Sequence, residues 1–114
     1  MAPFELFIIY ISWRSYASQK SGGKKRPVLV LLLNKDTISV YKVTTQYENK
    51  SEVVKARYFK INDWLQAGLD KQSYIDTGIL LSLPISVIKN KKPIGKLTIA
   101  DKKRLLAFLT KSQN

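Results

Sequence analysis

The stretch KKRPVLVLLLNKDTISVYKVTT, residues 24–45, carries the pattern that decides the fold. An aliphatic run at 28–33 is followed by Asn34, Lys35 and Asp36, a composition typical of a turn. Proline has no N–H to donate, so Pro27 is expected at the first residue of a strand. The second run, 37–47, has apolar side chains near period two. The stretch therefore predicts an antiparallel β-hairpin.

The whole chain has 114 residues, which fits one compact domain, 1–114. It contains no cysteine, which excludes a disulfide framework, a thiolate nucleophile and a zinc knuckle, and is compatible with a reducing compartment. It also contains no histidine, so the commonest general base and the commonest metal ligand are missing. We therefore expect no metal and no cofactor.

The charge is strongly basic: 20 lysines and arginines against 8 acidic residues give a net charge of +12. Such a balance predicts a polyanionic partner, which is a nucleic acid, an acidic protein or an anionic membrane, although a basic surface can also serve solubility alone. Of these three partners, a membrane is the one that the sequence supports least. The apolar run at 4–13 is far shorter than the ~20 residues of a spanning helix, carries Glu5 and lacks the features of a secretory signal.

The remaining segments favour strands, with one substantial helix at the end. Gly68 is expected to stop a single helical turn, and Thr98 with Asp101 has the spacing of a capping box. The predicted elements are strands at 4–13, 51–61, 73–83 and 85–90, a polar loop at 14–25, a helical turn at 62–69 and an amphipathic helix at 98–111. The expected fold class is mainly β (α+β), a small curled sheet or barrel with a short helix and a C-terminal helix on its flank.

The two ends of the hairpin suggest a binding site. An antiparallel hairpin sets the start of its first strand beside the end of its second, which brings Arg26 and Thr44 together. A guanidinium and a hydroxyl that converge in this way can bind a phosphodiester and stabilise charge on its oxygens. The alternative is that Arg26 only ends a strand in water and Thr44 is an ordinary β-former. No nucleotide-triphosphate loop and no two-metal carboxylate pair is apparent.

Four segments in order, KKRPVLVL, YKVTTQ, FKINDWLQAGLDKQSYI and IGKLTIADKKRLLAFL, resemble the PemK/MazF family of bacterial toxins from type II toxin–antitoxin systems. The resemblance runs from about Lys24 to Leu109. It implies an SH3-like β-barrel, a homodimer, a cytoplasmic location and metal-independent, sequence-specific cleavage of single-stranded RNA. It also implies a cognate acidic antitoxin protein as a second partner.

The same resemblance implies the site residues. The family's arginine and threonine correspond to Arg26 and Thr44. The acid that takes the 2′-OH proton is Asp76, which follows the Ser73–Ile75 segment, or another acid that the sequence does not identify. The loop and its flanking cations and tyrosine are expected to bind RNA, together with the amide beyond Thr44. These RNA-binding candidates are Arg14, Tyr16, Ser18, Gln19, Lys20, Ser21, Lys24, Lys25 and Gln46.

Two other functions fit the same sequence. The basic barrel could bind RNA or another nucleic acid without cutting it. It could also be a protein-interaction domain whose basic groove receives only an acidic peptide.

Overall fold

The computed structural model describes residues 5–12 and 25–112, and in these residues six strands and two α-helices are present. The strands are β1 Phe7–Ser12, β2 Lys25–Leu33, β3 Thr37–Thr44, β4 Tyr58–Lys60, β5 Tyr74–Pro84 and β6 Gly95–Lys96, and the helices are α1 Glu52–Lys55 and α2 Ile99–Ser112. All strand pairs are antiparallel, in the order β4-β5-β3-β2-β1-β6. The fold is therefore mainly β, and the sheet is open within the described residues.

The predicted hairpin is confirmed. β2 and β3 pair antiparallel with Leu29 opposite Tyr41, and the backbone N–H of Asn34 donates to the Thr37 carbonyl at 2.8 Å to close the turn. Pro27 is the third residue of β2 rather than the first. It lies where β2 pairs with β1 alone, a position that tolerates a residue without an N–H.

The sheet buries apolar side chains on both faces, in two clusters. The first lies under α2, which contributes Leu105, and Phe108 packs edge-on against Phe59 at a ring distance of 5.6 Å. The second lies on the opposite face, because Val28 and Leu29 are neighbours in β2 and belong to different clusters. This second cluster covers only part of its face, which leaves the rest for polar side chains.

The C-terminal helix begins as predicted. The backbone N–H of Asp101 donates to the Thr98 hydroxyl at 3.2 Å. The carboxylate of Asp101, however, accepts from the backbone N–H groups of Asn62 at 3.3 Å and Asp63 at 2.7 Å, so it holds a distant turn. That turn ends at Gly68, whose φ of 93° is the left-handed stop expected from the sequence.

The prediction of a strand over 51–61 is wrong for its first half. Ser51 accepts a hydrogen bond from the backbone N–H of Val54 at 3.3 Å, and this cap starts α1. Val53 is 74% exposed, so the two valines do not form the buried face that a strand would need. Only Tyr58–Lys60 joins the sheet, as β4.

The prediction of a strand over 85–90 is also wrong. Residues Ile85–Ile88 form a 3-10 helix directly after Pro84, and the backbone N–H of Ile85 donates to the Asp36 carbonyl at 2.8 Å. Val87 is buried in the second cluster. Tertiary packing therefore overrides the β preference of this β-branched segment. None of the helices in the described ranges is long and apolar enough to cross a membrane.

Candidate functional site

The second face of the sheet is polar beyond its apolar cluster, and we call this region the polar face. Along each strand the side chains of the polar face alternate with residues of the first cluster. They therefore lie on the face of the sheet opposite to that cluster. They form two adjacent rows, because Lys42, Asp76 and Tyr58 are consecutive cross-strand partners, as are Thr44, Tyr74 and Lys60. The polar face comprises Arg26, Lys42, Thr44, Tyr58, Lys60, Tyr74 and Asp76.

Arg26 lies at the end of the row that contains Thr44. The β2–β3 pairing ends with Val28 opposite Lys42, and the same register continued by two residues along each strand would set Arg26 level with Thr44. The Arg26 side chain is exposed, and it forms no hydrogen bond or ion pair with any residue in the described part of the chain. The backbone pairing thus agrees with the proximity predicted from the sequence and leaves the guanidinium available for an anion.

Thr44 has a structural contact as well. Its hydroxyl oxygen accepts a hydrogen bond from the backbone N–H of Gln46 at 3.0 Å, and this turn ends β3. The hydroxyl can still donate its own proton to a bound anion. Gln46 itself is exposed just beyond the strand, and Lys25 is exposed beside Arg26. Both predicted RNA-binding residues therefore border the polar face.

Asp76 lies in the neighbouring row, and its side chain is only 8% exposed. One carboxylate oxygen accepts from the backbone N–H of Gly78 at 2.9 Å, and Lys42 and Tyr58 are its cross-strand partners. Beyond Asp76 the β3–β5 register shifts, so that β5 bulges outward. Such bulges often orient side chains at functional sites. Asp76 thus shares the polar face with Arg26 but is separated from it by β3.

Tyr58 and Arg57 complete the surroundings of Asp76. Burial raises the pKa of the Tyr58 hydroxyl above its ordinary value, the charge of Asp76 raises it further, and Arg57 lowers it. The Arg57 side chain lies against Gly78, where an added Cβ would be 2.4 Å from the Arg57 Nε. A neutral phenol and a second guanidinium therefore lie beside the buried carboxylate, and sequence reasoning did not identify either of them.

A pair of stacked tyrosines forms one end of the polar face. The rings of Tyr47 and Tyr74 are 4.3 Å apart and within 5° of parallel, and we call this pair the tyrosine stack. The Lys55 ammonium lies 5.0 Å from the Tyr47 ring centre, and Tyr58 packs at a tilt against the same ring. The prediction of a strand up to residue 47 missed this stack, since the chain leaves β3 at Thr44.

Most of the predicted RNA-binding loop lies outside the described residues. This applies to Arg14, Tyr16, Ser18, Gln19, Lys20, Ser21 and Lys24. The two described ends of the loop, Ser12 and Lys25, are cross-strand partners next to the pair Ile11 and Arg26. The described residues on either side of the loop are therefore neighbours of Arg26 in the sheet.

Cations outnumber acids on the polar face, and Glu48 and Glu52 lie beside its tyrosine stack, 4.0 and 3.9 Å from the Lys55 ammonium. Within 5–12 and 25–112, no three acidic residues cluster in a way that could hold a metal ion. The polar face instead combines the cations Arg26, Lys42 and Lys60 with the single carboxylate of Asp76. Such a surface can bind a polyanion chain and supply one proton acceptor.

Comparison with known proteins gives no family. No protein-family model matches the chain, and no curated protein matches it in sequence.

Proposed function

We propose that this chain is the toxin of a toxin–antitoxin pair, an endoribonuclease that cuts single-stranded RNA without a metal ion. The observation that carries the proposal is the polar face, on which Arg26 and Thr44 share one row and Asp76 occupies the next. The net charge of +12 suits an RNA substrate. The resemblance to PemK/MazF toxins links this residue set to that activity.

The chemistry requires these side chains, the RNA and a proton from water. The 2′-oxygen attacks the adjacent phosphorus, the bond to the 5′-oxygen breaks, and that oxygen takes a proton from water, so the products are a cyclic phosphate and a 5′-OH. Asp76 accepts the 2′-OH proton, and Thr44 donates to a non-bridging oxygen. Arg26 stabilises the charge that builds on the phosphorane, because a guanidinium stays protonated at neutral pH.

The wider arrangement follows the same resemblance. The proposal includes closure of the curled sheet into an SH3-like barrel, a homodimer and a cytoplasmic location. The cations of the polar face attract RNA, and they attract an acidic antitoxin segment for the same electrostatic reason. An antitoxin that covers Arg26 would therefore inhibit by competition with the substrate.

The test is cleavage of a long single-stranded RNA in EDTA, with the ends of the fragments mapped. The wild type should give discrete cuts with 5′-OH ends. Arg26→Ala should be slower by about 10²–10³, the effect of removing one group that stabilises transition-state charge. Lys35→Ala, which changes an exposed lysine in the hairpin turn, is the matched control. RNA that remains intact with the wild type, over long mixed sequences, would contradict the proposal.

The role of Asp76 has its own test. Asp76→Asn keeps an oxygen that can accept from the Gly78 N–H but removes the proton acceptor. Loss of a general base is expected to slow cleavage by about 10²–10⁴ while RNA binding persists. If Asp76→Asn cuts at the wild-type rate, the base is another group.

A non-catalytic RNA-binding module is the second candidate. Two observations favour it. The backbone N–H of Gly78 already donates a hydrogen bond to the Asp76 carboxylate, and strand β3 lies between Asp76 and Arg26. In that case RNA binding should weaken steeply with salt, with a slope of about −0.7 per phosphate neutralised, and no product should form. Cleavage that depends on Arg26 would exclude it.

A further inference from the structure

The tyrosine stack is the feature of the polar face that the proposed chemistry does not use. Tyr74 is the direct cross-strand partner of both Thr44 and Lys60, so it lies between the hydroxyl and a cation. Neighbouring strands are about 4.8 Å apart, so Tyr74 is one strand from Thr44 and two from Arg26. An RNA chain bound at Arg26 and Thr44 would therefore pass beside this ring.

The stack is organised without a ligand. Tyr47 is held on Tyr74 by ring stacking, by the tilted contact with Tyr58 and by the ammonium of Lys55. Tyr74 is half-buried, and among the described residues no second ring or cation contacts it. The two tyrosine rings are therefore already fixed in place before a further aromatic group stacks on them. Because the rings need not be ordered on binding, less entropy is lost.

We propose that the tyrosine stack is a platform for a nucleobase of single-stranded RNA, next to the phosphate held by Arg26 and Thr44. The inference rests on the proposed function, because it assumes an RNA chain on the polar face. Every base has a π face, and aromatic side chains beside a basic groove are how proteins hold unpaired bases. Lys60, on the other side of Tyr74, is placed to bind the next phosphate.

The test compares two uncleavable RNA chains of equal length and charge. One carries 2′-O-methyl riboses with bases, and the other has the same backbone without bases. Binding is measured by fluorescence anisotropy for the wild type, Tyr74→Leu, Tyr74→Phe and Tyr47→Leu. Tyr10→Leu is the control, because Tyr10 is 37% exposed and lies on β1 between two residues of the second cluster, facing away from the polar face.

The wild type should bind the base-bearing chain more tightly than the base-free chain. Tyr74→Leu should reduce that preference by about 5- to 150-fold, the usual contribution of one stacked base. Tyr74→Phe and Tyr10→Leu should keep it. A far-ultraviolet circular dichroism spectrum like that of the wild type shows that a variant is folded, and binding of the base-free chain then reports the contribution of the cations alone.

The failures of the two proposals are distinguishable. If the wild type binds neither chain, RNA binding itself is wrong. If it binds both chains equally, or if Tyr74→Leu keeps the full preference for bases, RNA binding stands and the platform is refuted. If Tyr74→Leu also fails to bind the base-free chain, the Tyr47→Leu variant is used instead. If Tyr47→Leu keeps the wild-type preference for the base-bearing chain, the inference is overturned.

Discussion

Asp101 is predicted to be the most important single side chain for joining α2 to the turn at 62–68. It is 1% exposed and accepts three hydrogen bonds: from the backbone N–H groups of Asn62 and Asp63 and from an Arg104 guanidinium nitrogen at 2.6 Å. Asp101→Ala removes the acceptor for all three. Of the side-chain hydrogen bonds between this turn and the start of α2, the one from the Thr98 hydroxyl to the Asp63 carboxylate at 2.8 Å would then remain.

The magnitude follows from those contacts. A buried donor left without a partner costs about 1–3 kcal/mol, so two backbone N–H groups give about 2–6 kcal/mol. The Asn62 bond is long at 3.3 Å and Asn62 is exposed, so water can satisfy that group and the lower part of the range applies. The Arg104 side chain is 42% exposed, and its ion pair adds at most about 1 kcal/mol. We expect Asp101→Ala to lower the free energy of unfolding by about 2–4 kcal/mol.

The assay is urea unfolding with linear extrapolation. Asp70→Ala is the matched control, because this acid is exposed and should change stability by less than about 0.5 kcal/mol. Arg104→Ala removes the ion pair together with the hydrogen bond to the Lys60 carbonyl and the contact with the Phe59 ring, so its effect is an upper bound on the ion pair. If Asp101→Ala is no less stable than Arg104→Ala, the backbone hydrogen bonds do not stabilise the fold as argued.

Three further predictions concern stability and the site. The pKa of Tyr58 in the folded protein is raised above 10.0, so the contribution of Tyr58 to stability is complete below pH 10 and is lost as the pH rises through the folded pKa. The free energy of unfolding should therefore fall more steeply above pH 10 in the wild type than in Tyr58→Phe. Equal slopes for the two proteins would argue against the raised pKa. Gly68→Ala should destabilise by more than about 1 kcal/mol, because φ is 93° and the new Cβ would be 2.1 Å from the Ile94 carbonyl oxygen; an unchanged urea midpoint would show that the turn relaxes. Thr44→Val should slow RNA cleavage while Thr45→Val does not, and equal rates for the two variants would remove the Thr44 hydroxyl from the proposed mechanism.

The hairpin and the C-terminal helix were predictable because their causes are local. Asn34 to Asp36 form a tight turn, so the proximity of Arg26 and Thr44 at the far end of the hairpin follows from sequence distance. Which residue of β2 is level with Thr44 does not, because the irregularity between Val30 and Leu32 shifts the register by one residue. Thr98 likewise caps the helix that begins one residue later. Such features need no knowledge of distant segments.

The two wrong strand predictions show where local reasoning stops. The segments at 51–61 and 85–90 are rich in β-branched residues, but a strand also requires a partner and a buried face. Ser51 instead caps a short helix, and Val87 is buried in the second cluster from a 3-10 helix. Packing against other parts of the chain, which no local pattern reports, decided both conformations.

The sequence alone determined the basic charge, the hairpin and the proximity of Arg26 and Thr44 at its far end, because each depends on composition or on contacts within about twenty residues. Only the tertiary structure brought Asp76, Tyr58 and Tyr74 to the same face and stacked Tyr74 on Tyr47. The physical reason is strand register. Side chains alternate with period two, so a shift of one residue between β3 and β5 would turn all of β5's contributions to the opposite face.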